Sequence, residues 1–283
     1  MQETREANET ATGTQLLDRA VAVLRYLGDV GQQGASMAEI GDALALKQST
    51  AHRIVTALQR HGLVDREVHT KRYRLGLTLF AMGATAADGT GLRRLARPAL
   101  VRLSAETGDT LFLMARAGFN AVCVDRQEGT YFLDSLTGYV GGQIPLGVGP
   151  ASLAILAFLP EDEAEAIINA NAGRYEMYKH LSAGRIREIL PQVREQGYAV
   201  DQDELVAGIA AMAVPILPQG RDAVAAIAIN MTSPRLPPER LQELLTLLRK
   251  EVREIEDSLN PLEGHRIAPL NKFGGMHVTN SNG

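Results

Sequence analysis

The residues best suited to chemistry cluster between Lys47 and Arg74. On one short segment, Gln48, Ser49, His52, Arg53 and Thr56 share a face opposite a stripe of Ala51, Ile54, Val55 and Leu58. Amides, hydroxyls and a guanidinium on a helix with one apolar stripe are the groups that reach base edges in a major groove or hold phosphates. The candidates for such contacts are Lys47, Gln48, Ser49, Thr50, His52 and Arg53, with Lys71, Arg72 and Arg74 a little downstream. His52 serves equally well as a spacer on the helix surface. Basic residues outnumber acidic ones here, Lys47, Arg53, Arg60, Arg66, Lys71, Arg72 and Arg74 against Asp65 and Glu67, although the whole chain carries a net charge of −4. That local asymmetry points to a phosphate-binding face.

Other chemistry is thin. The six histidines are scattered with no pair at metal-ligand spacing, and there is no nucleophile elbow, P-loop or dinucleotide fingerprint. Asp201, Asp203 and Glu204 could form a carboxylate cluster, but a solvated turn after GYAV accounts for them better. Cys123 is the single cysteine, which excludes an internal disulfide and fits a reducing compartment. It lies in an apolar strand and reads as buried. No catalytic residue, metal ligand or cofactor is expected. No apolar run reaches the roughly 20 residues of a membrane helix, and the polar N-terminus lacks a signal region, so a soluble cytoplasmic protein is expected.

The elements that must position the basic face follow from periodicity. Residues 1–13 read as a disordered arm. A first helix over 14–30 buries Leu16, Leu17, Ala20, Val21, Leu24 and Leu27. Ser36 with Glu39 forms a capping box for a second helix bearing Ile40 and Leu44. Ala45 and Leu46 make the turn to the helix described above, which ends at Gly62. The strands 63–67 and 72–75 enclose a basic tip. Three helices and a β-hairpin give a winged helix-turn-helix over 14–76. A linker helix follows over 77–90, with a boundary turn at 86–91.

Residues 91–260 mix helices and strands, as in an antiparallel sheet with helices packed on it. Helices are expected over 92–107, 151–159, 161–171, from Ser182 to Gly197 and over 237–259. Strands are expected over 110–115, 121–125, 131–136, 210–217 and 223–230. Arg93, Arg94, Arg97 and Arg102 should face solvent or a partner. The stretch TGYVGGQIPLGVGP reads as a loop, and residues 261–283 as a disordered tail.

Several separate motifs in order, LLDRAVAVLRYL, MAEIGDALALKQSTAHRIVTALQRHGLV, YRLG, LARPALVRLSAETGDTLFL, REQGYAVDQDE and AVAAIAI, make the chain resemble the IclR family of bacterial transcription regulators. The resemblance implies an α+β protein: an N-terminal winged helix-turn-helix, a linker helix and a GAF-like C-terminal effector domain with an antiparallel sheet. It implies double-stranded operator DNA and a small-molecule effector, an organic or aromatic acid, as partners, and a homodimer or homotetramer with no membrane partner. It also implies a ligand pocket lined by Leu133, Leu136, Ile144, Pro150, Ala151, Asp201, Ile209, Ala211, Ala228 and Asn230. For the aliphatic members alone, plain core is the better reading. Gly149, Ala151 and Ser152 would open a helix whose N-terminus favours an anion.

Two departures from the family pattern stand out. Pro150 lacks a backbone N–H where members that bind very small acids offer one, and Ala211 and Ala228 replace thiol or hydroxyl side chains. A larger or more apolar acid than a two-carbon keto acid is therefore expected. The rival readings are an enzyme, which has no use for a basic winged helix, and a ligand-independent regulator whose C-terminal domain only dimerises.

Overall fold

The computed structural model describes residues 3–89, 91–131, 139–218 and 221–259. It separates into two compact units that divide between Ala86 and Ala87.

In the first unit, α1 (Glu3–Val30) is followed by a 3-10 turn (Gly31–Gln33), α2 (Met37–Ala43), α3 (Gln48–Arg60), β1 (Val64–Arg66), β2 (Tyr73–Leu75) and the start of α4 (Leu77–Gly89). Helix α1 begins at Glu3, not at Thr14, so the expected disordered arm is largely helical. Its sequence ETREANETAT has no proline or glycine to stop the helix. Leu16, Leu17 and Val21 also prove exposed, and Val23 and Leu27 supply the buried side of α1. The expected boundary turn is absent up to Gly89, because α4 continues that far. Ser36 and Glu39 cap α2 reciprocally, Oγ of Ser36 accepting from the Glu39 N–H and the Glu39 carboxylate from the Ser36 N–H. Ile40, Ala51, Ile54, Val55 and Leu58 are buried with Val23, Leu27, Val64 and Tyr73 in one core.

In the second unit, α5 (Leu92–Thr107) leads into β3 (Thr110–Ala117) and β4 (Asn120–Gln127), then β5 (Gln143–Pro145), α6 (Pro150–Ala157), α7 (Glu161–Tyr175) and α8 (Ala183–Gln196). The chain continues through β6 (Ala199–Gln202), β7 (Ile209–Ile216), β8 (Ala225–Thr232) and α9 (Pro238–Ser258). The sheet is antiparallel in the order β5-β4-β3-β8-β7-β6. Leu111, Leu113, Met212, Val214, Ile227 and Ile229 face α5 and α9, while Phe112, Met114, Ala213, Ala226 and Ala228 face α6, α7 and α8. Alternation along each strand thus feeds two apolar layers.

Two expectations for this unit need correction. Gln143–Pro145 is a strand, not loop, because it pairs with Asn120–Val122 at the sheet edge. Asp201 lies in β6, not in a turn, because Ala199–Gln202 pair with Ala210–Ala213. Arg93 and Arg97 reach the buried Asp125 at 3.6 and 3.3 Å, and Arg102 pairs with Glu251 and Glu254 of α9. These arginines tie α5 to the sheet and to α9 because buried carboxylates need partners. The strand expected over 131–136 and the tail over 261–283 fall mainly or wholly outside the described residues.

Candidate nucleic-acid interface and effector face

The turn between α2 and α3 is tight. Leu46 donates to the Gly41 carbonyl at 2.9 Å, and Ala45 adopts a left-handed conformation with φ 49°. A Cβ on Gly41 would stand 3.3 Å from the Leu46 carbonyl oxygen, so the two segments approach closely here. This turn sends α3 away with its apolar stripe inward. Lys47, Gln48, Ser49, His52, Arg53 and Thr56 are exposed on α3 or at its start, while Thr50 is half-buried. The Thr50 N–H closes the first turn on the Lys47 carbonyl at 2.8 Å. His52 Nδ1 lies 3.5 Å from the Thr56 hydroxyl, one turn along the same face. Lys47 and Arg53 have no ion-pair partner among the described residues, so their charges are available to a polyanion.

The wing is less uniform than its composition suggests. Lys71, at φ 59°, stands exposed at the tip and has no ion-pair partner among the described residues. Arg74 pairs with Glu67 at 2.9 Å. Arg66 lies over the Tyr73 ring at 5.4 Å and donates to the Lys71 carbonyl. Arg72 turns back into its own unit. Its Nε donates to the Gln33 carbonyl at 3.0 Å, and its Nη2 to the Gly34 carbonyl at 3.0 Å and to the Glu39 carboxylate at 2.8 Å. Of the three wing residues expected to hold phosphate, Lys71 alone is unencumbered, because two carbonyls and the Glu39 carboxylate hold Arg72 and the Glu67 carboxylate holds Arg74. Glu39, read in the sequence only as a helix cap, is the residue that sequence reasoning missed here. The Ser36 backbone N–H, and then Arg72, hold its carboxyl below the usual carboxylate range.

On the second unit the register gathers five of the expected pocket residues. Asp201, Ala211, Asn230 and Thr110 are cross-strand neighbours over β6, β7, β8 and β3. Ala199, Ala213, Ala228 and Phe112 form the adjoining row. Ile209, opposite Thr232, belongs to the same face. Ile144 lies on this side of the sheet at its other edge, within the core beneath α6 and α7. Thr110 and Phe112 escaped the sequence reading, since nothing local signals a partner more than 100 residues away.

Helix α6 packs across β6, β7 and β8, with Pro150 in its first turn and Ala151 buried. The Ser152 hydroxyl is buried and donates to the Val148 carbonyl, so it is already satisfied within the helix start. Burial pushes the Asp201 carboxyl up to about 6. Asp203, by contrast, accepts from the Ser233 hydroxyl and the Gly208 N–H, both at 2.7 Å, and these bonds hold its carboxyl low. The acidic trio therefore does not act as one cluster: Asp203 staples a turn, Glu204 is exposed, and Asp201 alone faces the sheet side under α6. Leu133 and Leu136 lie outside the described residues.

Comparison with known proteins places both units. The profile of the IclR helix-turn-helix domain matches residues 16–67, and that of the bacterial transcriptional regulator IclR C-terminal domain matches residues 84–257. The chain is 30% identical over 256 residues to the HTH-type transcriptional repressor AllR of Salmonella typhimurium, covering 90% of this chain and 93% of the relative. The crystal structure of the Thermotoga maritima IclR superposes with a TM-score of 0.64 at 26% identity, covering 87% of this chain and 99% of that one. An IclR homologue from Microbacterium hydrocarbonoxydans, complexed with 4-hydroxybenzoate, shares the fold with a TM-score of 0.70 at 22% identity, covering 86% of this chain and 98% of that one.

Proposed function

The chain belongs to the IclR family of bacterial transcription regulators, a non-enzymatic family of DNA-binding proteins, and from that premise we propose that it is an acid-responsive regulator of metabolic genes. It binds double-stranded operator DNA in the cytoplasm as a homodimer or homotetramer. Gln48, Ser49, His52 and Arg53 of α3 enter the major groove, Lys47 and Thr50 secure the helix start, and Lys71 at the wing tip holds a phosphate. The observation that carries this reading is the exposed polar face of α3, where Lys47 and Arg53 have no ion-pair partner among the described residues, over a buried apolar stripe.

The effector occupies the side of the sheet under α6, against Asp201, Ile209, Ala211, Ala228 and Asn230, with Pro150, Ala151 and Ile144 nearby. The alanines at 211 and 228 give an apolar floor poor in donors, and Pro150 offers no N–H. Both features favour an aromatic or branched acid over glyoxylate or pyruvate. The homologue that carries 4-hydroxybenzoate is consistent with an aromatic acid.

Fluorescence anisotropy with the duplex upstream of the protein's own gene, together with thermal shift against a panel of organic and aromatic acids, tests both halves. Tight, salt-sensitive binding and a dose-dependent rise for aromatic acids are expected. Retained DNA binding without any ligand shift would favour a ligand-independent regulator. Preference for glyoxylate or pyruvate would reject the apolar pocket.

A further inference from the structure

We propose that Arg72 is a positioning residue of the wing, acting through Glu39, and not a phosphate contact. The inference rests on the DNA-binding reading above and concerns how the wing is held.

The Arg72 guanidinium ties together three chain segments. It begins in the wing, beside β2, and spans the end of the 3-10 turn at Gln33 and Gly34 to reach Glu39 in the first turn of α2. The same segments are already sewn by a β-bridge, in which Ala35 and Tyr73 exchange N–H···O bonds of 2.9 and 2.7 Å. Gly34, at φ 61°, leaves no room for a side chain there, since a Cβ would stand 2.6 Å from the Tyr73 carbonyl oxygen. Glu39 is thus used twice. One oxygen caps α2 through the Ser36 N–H, and the carboxylate as a whole receives Arg72.

An isolated surface ion pair of this exposure would contribute little. Here the guanidinium also donates to two main-chain carbonyls, and its planar fork fixes direction as well as distance. This tie therefore sets how the wing lies against α2, and with it the place of Lys71, the neighbour of Arg72 at the exposed tip. Counterion release gives a second reason. A cation already neutralised by Glu39 releases no counterion on meeting a phosphate unless it first abandons that partner.

The test is E39Q, K71A and the double variant E39Q/K71A in the full chain. Each is titrated with a mixed-sequence duplex and with the upstream duplex across a salt series, and melted to confirm folding. Glutamine still serves at this place in a capping box, so α2 keeps its cap and the variant folds. Removing a negative charge from a DNA-binding surface ordinarily tightens binding. Positioning through Glu39 requires the opposite, a loss of about fivefold or more at an unchanged fold, within the usual range of coupling between linked sites. K71A alone should lower the salt slope by about one unit, and in the E39Q background it should lower it little further, since a displaced Lys71 no longer meets its phosphate. Tighter binding by E39Q, or fully additive slopes in the double variant, would overturn the proposal and make Arg72 a phosphate contact that Glu39 competes for. Failure of the unsubstituted protein to bind either duplex would instead sink the DNA-binding reading on which the proposal rests.

Discussion

Arg53 and Asp201 stand one in each half of the proposed function, and each makes a separable prediction. Arg53 is exposed on α3 and has no ion-pair partner among the described residues. If it holds a phosphate, R53A weakens binding to all sequences alike and lowers the salt slope by about one unit. If it reads a guanine, the loss falls on the operator, at roughly 1–3 kcal/mol, and the slope for random DNA is untouched. Anisotropy with both duplexes separates the two.

Asp201 behaves in the opposite way from a paired carboxylate. Its folded-state value is raised by burial to about 6, so between the ordinary carboxylate range and pH 6 the native state holds the proton that the unfolded chain has lost. Its contribution to stability is complete below that range and is lost as pH rises through 6. D201N should therefore melt higher than the parent at pH 7.5, by about 1–2 kcal/mol after allowance for the part of the side chain that water reaches, and match it near pH 4. A carboxylate effector bound beside Asp201 would meet like charge above pH 6, so its affinity should rise as pH falls from 7 to 5.5. A flat profile in isothermal titration would place the effector carboxylate elsewhere.

At the scale of elements, the joint between α3, the wing and α4 depends on one close contact. Gly76 donates to the Leu63 carbonyl at 2.9 Å, and a Cβ on it would stand 2.1 Å from the Gly62 carbonyl oxygen. Both partners in this clash are backbone, so neither can step aside cheaply. G76A is expected to destabilise the protein by roughly 2–4 kcal/mol, read from denaturant unfolding, and to weaken DNA binding with it. The glycine that ends the YRLG motif is thereby given a cause: the wing can return to α3 only where no side chain intervenes. Helices α2 and α3 were visible from their stripes and caps, since such signals are local and repeat every turn. Strands β5 and β6 were not: unlike the similarly short β1 and β2, they carried no turn signal, and each exists through its one partner at an edge of the sheet.

For the molecule as a whole, an effector and DNA that bind the same protein must obey linkage. An acid that binds the native state at a hundredfold excess over its Kd stabilises it by about 2.7 kcal/mol. If it also releases the protein from operator DNA, saturating DNA must weaken the acid's affinity by the same factor. Titrating the acid with and without the upstream duplex checks this equality, and unequal factors would mean that the two sites do not share one equilibrium.

Much of this protein was written in local pattern. The buried stripe of α3, the Ser36–Glu39 cap, the hairpin around Lys71 and the alternation of β3 and β4 follow from residue spacing, because helix and strand periods act over a few neighbours. The resemblance carried by ordered motifs then named the family. Partnerships between distant segments were decided only by the tertiary structure. Arg72 lies 33 residues from Glu39, and no spacing rule distinguishes it from Lys71 beside it. Asp201, Ala211, Asn230 and Thr110 come from four strands whose order places β8 beside β3, and only that order makes them a single row. Charge and amphipathicity describe what a side chain can do. Sheet register and chain crossing determine which group it meets, and that depends on every element packed between them.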